Sequence, residues 1–316
     1  MKVTVSLITY NHAPFIAQAI ESVLMQQTRF DFELLIGEDG STDGTREIVR
    51  SYQAKYPGRI RLLLHDRKNV VFINGKPTGQ WNFANNVSNS RGEYVALLDG
   101  DDYWTSPLKL QKQADYLDQN SDCAMCFHNV EILDESDPGR LVPQYRKRLP
   151  PKYSLETLLK GNFMHTCSVM FRSGLFGEFP PWFFKSPFGD WPLHVLNAQH
   201  GRIGYLDEIL AVYRKHAGGV LSGQERMAIV AATVQSAEQI RNALTPEQRL
   251  VLDERLVQWR MQLASAKGDN QEAGKLGAEY YRRFLFRTKT QPWRVFRLLA
   301  KTKIRAALGA RGEQRA

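Results

Sequence analysis

The chain has 316 residues, 43% of them apolar, enough to bury one large core or two ordinary ones, which excludes disorder throughout. Its net charge of +9 sits in residues 277–316, where eight Arg and three Lys stand against two Glu; the remaining residues sum to zero. A neutral body with a basic tail points to an anionic surface met by the tail and away from a nucleic-acid-binding core.

The predicted elements alternate from the first residues onward. "KVTVSLIT" reads as a strand, and "APFIAQAIESVLMQQ" repeats apolar residues at helical spacing. "FELLIGED" is a second strand, and "DGTREIVRSYQAKY" a helix opened near Asp43 and stopped at "YPG". "IRLLLH" is a third strand, followed by a helix near 80–90 and the strand "YVALLD". Ser106-Pro107 supplies an N-cap and a first-turn proline for "PLKLQKQADYLDQN". This βαβα rhythm predicts an α/β fold with a mostly parallel, doubly wound sheet, whose ligands bind beyond the carboxyl ends of the strands.

Residues 138–151 read as a Pro- and Arg-rich surface loop. Then come a short helix ("SLETLLK"), a strand ("CSVMFR"), an aromatic loop ("FPPWFFKSPFGDW"), a helix ("PLHVLNAQ") and a last strand ("IGYLDEILAVYR"). Beyond Gln224 the pattern is helical, with Thr245-Pro246-Glu247 as a helix start.

Chemistry concentrates at the predicted strand ends. In "LLDGDDYW", Asp99 and Asp101 share one side of an extended segment, and Gly100 lets the backbone approach a ligand. Such a pair suits Mg²⁺ or Mn²⁺ completed by phosphate oxygens and water; it also suits an acidic turn capping the next helix. Glu38 and Asp39 in "GEDGSTDGT" can accept hydrogen bonds from a base or ribose, or simply cap a helix.

"VSLITYNHAPFIAQAIESVLMQQ", "EDGSTDGT" and "GEYVALLDGDDYW", in this order, resemble a family 2 glycosyltransferase of the GT-A fold over about residues 1–220. The resemblance implies a nucleotide-sugar donor, usually a UDP-sugar. Thr9, Tyr10, Asn11 and Asp39 would hold the nucleoside, Asp99 would touch the ribose or the metal region, and Asp101 would ligate the metal on the diphosphate. Many relatives carry a basic residue before the helix that precedes the D-x-D strand; here Asn82 and Asn85 take that place. "FGDWPL" maps onto the acceptor-side acidic motif, which makes Asp190 the general base, or the cap of the helix after it. Trp182 and Trp191 are expected to stack on an acceptor sugar, His165 to lie on the acceptor side, and His216 in "YRKHAGG" to meet the metal or diphosphate.

Cys123 and Cys126 form a lone C-x-x-C inside an apolar strand, where alternation places them on opposite faces, as core residues. With Cys167 they make three cysteines, a count that fits a reducing cytosol. The N-terminus shows no signal-peptide h-region, and no uncharged apolar run approaches the roughly 20 residues of a membrane span.

The expected organisation is a catalytic domain over 1–220, with a donor half to 130 and an acceptor half beyond it. A helical extension follows over 221–276, then a basic amphipathic helix over 277–316. Its apolar face (Trp293, Phe296, Leu299, Ile304) and basic stripe (Arg294, Arg297, Lys301, Arg305) suit an anionic membrane face or docking on the catalytic domain. The resulting expectation is an inverting, Mn²⁺- or Mg²⁺-dependent transferase, cytoplasmic or at the inner membrane face, acting on a glycan or lipid-linked acceptor. A metal-dependent phosphatase and a non-catalytic sugar-nucleotide-binding scaffold are the alternatives.

Overall fold

The computed structural model describes residues 1–284 apart from 74, 138 and 220–224. The chain divides into two compact units, Met1–Gly223 and Gln224–Ala316.

In the first unit, β1 (Val3–Thr9), α1 (Ile16–Leu24), β2 (Phe32–Glu38), α2 (Thr45–Lys55) and β3 (Ile60–Leu64) follow one another. A small hairpin of β4 (Val71–Ile73) and β5 (Lys76–Thr78) leads to α3 (Gln80–Ser88). Then come β6 (Tyr94–Asp99), β7 (Tyr103–Trp104), α4 (Lys109–Gln119) and the long β8 (Cys123–Asp134). The remainder is β9 (Leu141–Pro143), β10 (Lys152–Tyr153), α5 (Leu155–Leu159), β11 (Met170–Arg172), α6 (Asp190–Ala198) and β12 (Arg202–Lys215). The second unit contains α7 (Arg226–Ile240), α8 (Pro246–Ala266) and α9 (Asn270–Phe284).

The main sheet runs β10-β12-β8-β11-β6-β1-β2-β3, with β7 added to β12 and β9 to β8. Strands β6, β1, β2 and β3 are parallel, as are β8 and β12. Between these blocks β11 runs antiparallel to both neighbours. The sheet is therefore mixed, because "CSVMFR" enters it backwards, as a three-residue strand after a 3₁₀ turn at Thr166–Ser168.

β1 lies between β2 on one side and β6 on the other. The connections leaving β1 thus diverge, which opens a crevice at the carboxyl ends of these three strands. On one face Val3, Val5 and Leu7 pack in a core with Ile16, Ala19, Ile20 and Val23 of α1 and Leu110, Ala114 and Leu117 of α4. The other face is polar. There the buried Asn86 amide of α3 donates to Ser6 Oγ (3.0 Å) and to the carbonyls of Leu7 and Leu35 (both 3.1 Å). Asn82 donates to Gly37 O at 2.9 Å. These bonds fasten α3 across β1 and β2, because a buried amide must find partners.

Several boundaries differ from the sequence reading. Part of the loop over 138–151 forms β9, which pairs with the end of β8. Ser106 Oγ accepts from Leu108 N at 3.3 Å, so the proline turn precedes the helix, which begins at Lys109. Pairing with β12 shifts register between Cys123 and Met125, a bulge at Ala124. That extra residue returns Cys123 and Cys126 to the same face, in the core beneath α4, and all three cysteines are free. Thr245 and Gln248 complete a capping box at the start of α8. α9 runs unbroken through residue 277 to Phe284, so the first residues of the predicted tail helix belong to it; the rest of that prediction, 285–316, lies outside the described residues.

Candidate active site

Three loops meet at the crevice. Asn11 adopts the left-handed region with φ of 55°, which asparagine tolerates. Its amide oxygen accepts from Thr42 N, and its own N–H donates to Ser41 Oγ, both at 2.9 Å. His12 N donates to Thr45 Oγ1 and Ala13 N to Asp43 Oδ2, again at 2.9 Å. The loops after β1 and β2 are thereby joined. Asn11 thus gives its backbone N–H and its amide oxygen to this joint while its side chain stays exposed at the crevice.

Glu38 is a correction. It is fully buried; one carboxylate oxygen accepts from Ser41 N at 2.6 Å, and the other pairs with Arg46. Both acceptors are engaged within the chain because Arg46, the second residue of α2, reaches back to the strand end.

Asp39 is different. It faces a cavity of about 210 Å³ lined also by Arg46, His65, Arg67 and Trp81. Arg67 pairs with its carboxylate at 3.1 Å and lies over the Tyr10 ring at 4.0 Å from the centroid. Burial, opposed by Arg67 and aided by Glu38, pushes Asp39 up to about 6. Tyr10 is exposed, with 40% of its surface accessible, and sits at the rim. The basic residue that pairs with Asp39 at this pocket is Arg67, from the loop after β3. Asn82 and Asn85 do not replace it: Asn82 is bonded to the sheet, and Asn85 Oδ1 accepts from Asn89 at 3.2 Å on the outer side of α3.

The D-x-D turn closes the crevice from β6. A Cβ at Gly100 would fall 2.7 Å from Thr9 Oγ1 and 2.8 Å from His12 Nδ1, so only glycine allows the turn to touch the loop after β1. Thr9 is buried there, its hydroxyl without a hydrogen-bond partner among the described residues. His216 Nε2 lies 3.0 Å from Asp101 Oδ2, and His12 Nε2 lies 3.8 Å from the same oxygen. Burial alone would raise the Asp101 carboxyl, but these two imidazoles hold it below the usual range. Asp99 has no such counter-charge. Burial, then Asp101 and then Asp190 push it up to about 8. Asp102 is buried beneath the turn and accepts from Arg214 N at 2.8 Å, a structural role.

Asp190 opens α6, whose first turn follows the aromatic loop. Its carboxylate accepts from Asn162 Nδ2 at 2.8 Å and from Trp191 N at 2.7 Å, and burial raises its pKa. Its charge also lifts Asp99, so the two carboxyls are near enough to interact electrostatically although they come from distant segments. His165 stacks on Tyr213 at 4.1 Å, and burial pushes it down to about 4. Trp182 is half-buried beside Phe183. Trp191 is only 2% exposed and donates its indole N–H to Leu158 O at 3.1 Å, so it is a core residue and no sugar platform.

His12 and Arg214 are missing from the sequence reading. His12 follows the "TYN" stretch directly, and its tight contact with Gly100 is a tertiary fact. Among the described residues no three His, Cys, Asp or Glu side chains form a ready metal cage. The set that is present, two carboxylates and one imidazole with excess negative charge, still fits a hard divalent cation whose other ligands are phosphate oxygens and water.

The family model described as Glycosyl transferase family 2 matches residues 4–178. An uncharacterized protein of Mycobacterium tuberculosis is 38% identical over 217 residues, 67% of this chain and 58% of that protein's length. S. aureus TarS, in its complex with UDP-GlcNAc, superimposes with a TM-score of 0.60 at 21% identity, covering 88% of this chain and 83% of that one. The mannosyltransferase PcManGT from Pyrobaculum calidifontis, in complex with GDP-Man and Mn²⁺, gives 0.56 at 19% identity, covering 97% and 86%. The fold is thus GT-A-like, not that of a phosphatase. With more than half of its length matched by the family model and its acidic loops gathered at the switch point of the sheet, the chain belongs to glycosyltransferase family 2.

Proposed function

We propose that the protein transfers a sugar, with inversion, from a nucleoside diphosphate sugar to a hydroxyl of a glycan or lipid-linked glycan, in the assembly of a cell-surface polysaccharide. The observation that supports this reading is the electrostatic coupling of Asp99, in the D-x-D turn, to Asp190, which is 89 residues beyond Asp101. A lone raised carboxylate on the acceptor side and a D-x-D pair on the donor side match the two halves of a single displacement.

Asp39 accepts hydrogen bonds from the nucleobase in the cavity beside Arg67 and Trp81. Tyr10 borders it, and a UDP-sugar is the expected donor, in keeping with the UDP-GlcNAc bound by TarS. Asp99 and Asp101 would hold Mn²⁺ or Mg²⁺, with His216 beside them; when bound, the ion neutralises charge on the departing diphosphate. Asp190 takes the proton from the acceptor hydroxyl. As that oxygen bonds to the anomeric carbon, the carbon–oxygen bond to phosphate breaks, and the nucleoside diphosphate leaves with the electron pair. Its bonds to Asn162 and Trp191 N aim the carboxylate, and its raised pKa makes it a better base. Trp182 and His165 stand on the acceptor side of this arrangement. Among the described residues no helix is long and apolar enough to cross a membrane. The basic stretch beyond Phe284 is proposed to rest on an anionic leaflet.

Asp190→Asn is expected to lower turnover by about 10²–10⁴-fold while calorimetry shows unchanged nucleotide binding; near-normal turnover removes Asp190 as the base. Asp39 is the stronger acceptor when ionised, so with its carboxyl at about 6 the affinity for UDP should rise with pH through that point. The expected loss is about tenfold at pH 5 relative to pH 7, and Asp39→Asn should flatten the difference. A profile identical in both proteins contradicts the assignment. Removal of residues 285–316 is expected to abolish flotation with phosphatidylglycerol liposomes; equal flotation excludes the membrane contact.

A further inference from the structure

β7 pairs antiparallel with β12 so that Ala211 faces Trp104 and Val212 faces Tyr103. Continuing that register places Arg214 opposite Asp101. Its backbone N–H donates to the Asp102 carboxylate and its Nε to Asp101 O, each at 2.8 Å. The same turn is therefore held from below through Asp102 and from the side through a carbonyl. The other guanidinium nitrogens are fixed as well. Nη2 donates to Gln18 Oε1 of α1 at 2.6 Å, and Nη1 pairs with Glu135, just after β8. Phe15 and Tyr103 lie at 4.7 and 5.4 Å from the guanidinium carbon. The side chain is only 8% exposed, so a charge that would be costly alone is compensated on several sides.

Residue 216, two positions on, grips the carboxylate of the same aspartate. From this geometry we infer that Arg214 is a positioning residue for the D-x-D turn. By anchoring the Asp101 carbonyl to α1 and to the end of β8, it sets where the Asp101 carboxylate stands relative to Asp99. Arg214 touches neither donor nor acceptor in this role. Lysine cannot replace it, because one ammonium cannot serve a carbonyl, an amide oxygen and a carboxylate in three fixed directions. The inference rests on the proposed role of Asp101 toward the cation. Deviations of about half an ångström are enough to weaken such a constellation.

The test is Mn²⁺ binding followed by electron paramagnetic resonance of the free ion, with Mn²⁺ alone and with UDP or GDP added. Thermal melting is recorded in parallel. Arg214→Lys is expected to melt near wild type and to bind Mn²⁺ at least tenfold more weakly, while calorimetric UDP or GDP affinity without metal stays unchanged. Asp101→Asn, the control for the metal reading, should lose the ion. Wild-type Mn²⁺ affinity in a folded Arg214→Lys protein overturns the inference and leaves the metal reading standing. No Mn²⁺ binding by the wild type overturns both. Should Arg214→Lys fail to fold, Glu135→Gln, at the more exposed end of the tie, decides. A severalfold weaker Mn²⁺ affinity supports the role of Arg214, and an unaltered one overturns it.

Discussion

Like charges brought together in a buried space repel, and a fold that assembles them must hold them there or neutralise them. In this chain the gathering is done by topology. The parallel strands β1, β2 and β6 end at the point where the sheet connections diverge, and the first turn of α6 brings Asp190 within electrostatic reach of Asp99. The two D-x-D carboxylates are not equivalent. Asp101 stands between two imidazoles and stays ionised, whereas Asp99, buried beside Asp101 and Asp190, holds a proton near neutrality. In the proposed reading a dication and a diphosphate would occupy this space, the ion supplying positive charge and the phosphates completing its coordination.

The supporting structure is largely devoted to holding that turn. Gly100 is small so that the turn can press on Thr9 and His12. Asp102 turns away from the crevice to receive a backbone N–H of β12. The loops after β1 and β2 are tied to each other and to the start of α2 through Asn11, Ser41, Asp43 and Thr45. The helical unit after residue 224 builds its own small core, in which Val257 and Met261 of α8 meet Leu276 and Tyr280 of α9.

Much of this was legible in the sequence, because it rests on local patterns. Apolar periodicity located the helices and the longer strands but not the short β4, β5, β7, β9 and β10, and the acidic clusters fell where strands end. What was not legible depended on long-range contacts. Nothing near Glu38 in the strand pattern says that Arg46 will curl back onto it, so a buried ion pair looked like a ligand-binding carboxylate. Trp191 looked like a sugar platform because its neighbours are aromatic, yet its helix turns the indole toward Leu158. The bulge at Ala124 reversed the expected faces of Cys123 and Cys126, since period-two alternation fails wherever a residue is inserted. Arg214 went unremarked for the same reason: its partners are 79 to 196 residues away in the chain.

The most direct test of the central claim is calorimetry of UDP and of GDP, each with and without Mn²⁺, on the native protein and on one with alanine at both 99 and 101. Convergent carboxylates that share a cation with a diphosphate require Mn²⁺ to tighten at least one of the two nucleotides about tenfold or more in the native protein, and require that gain to vanish in the doubly substituted one. Equal affinities with and without the metal, in both proteins and for both nucleotides, would contradict the account.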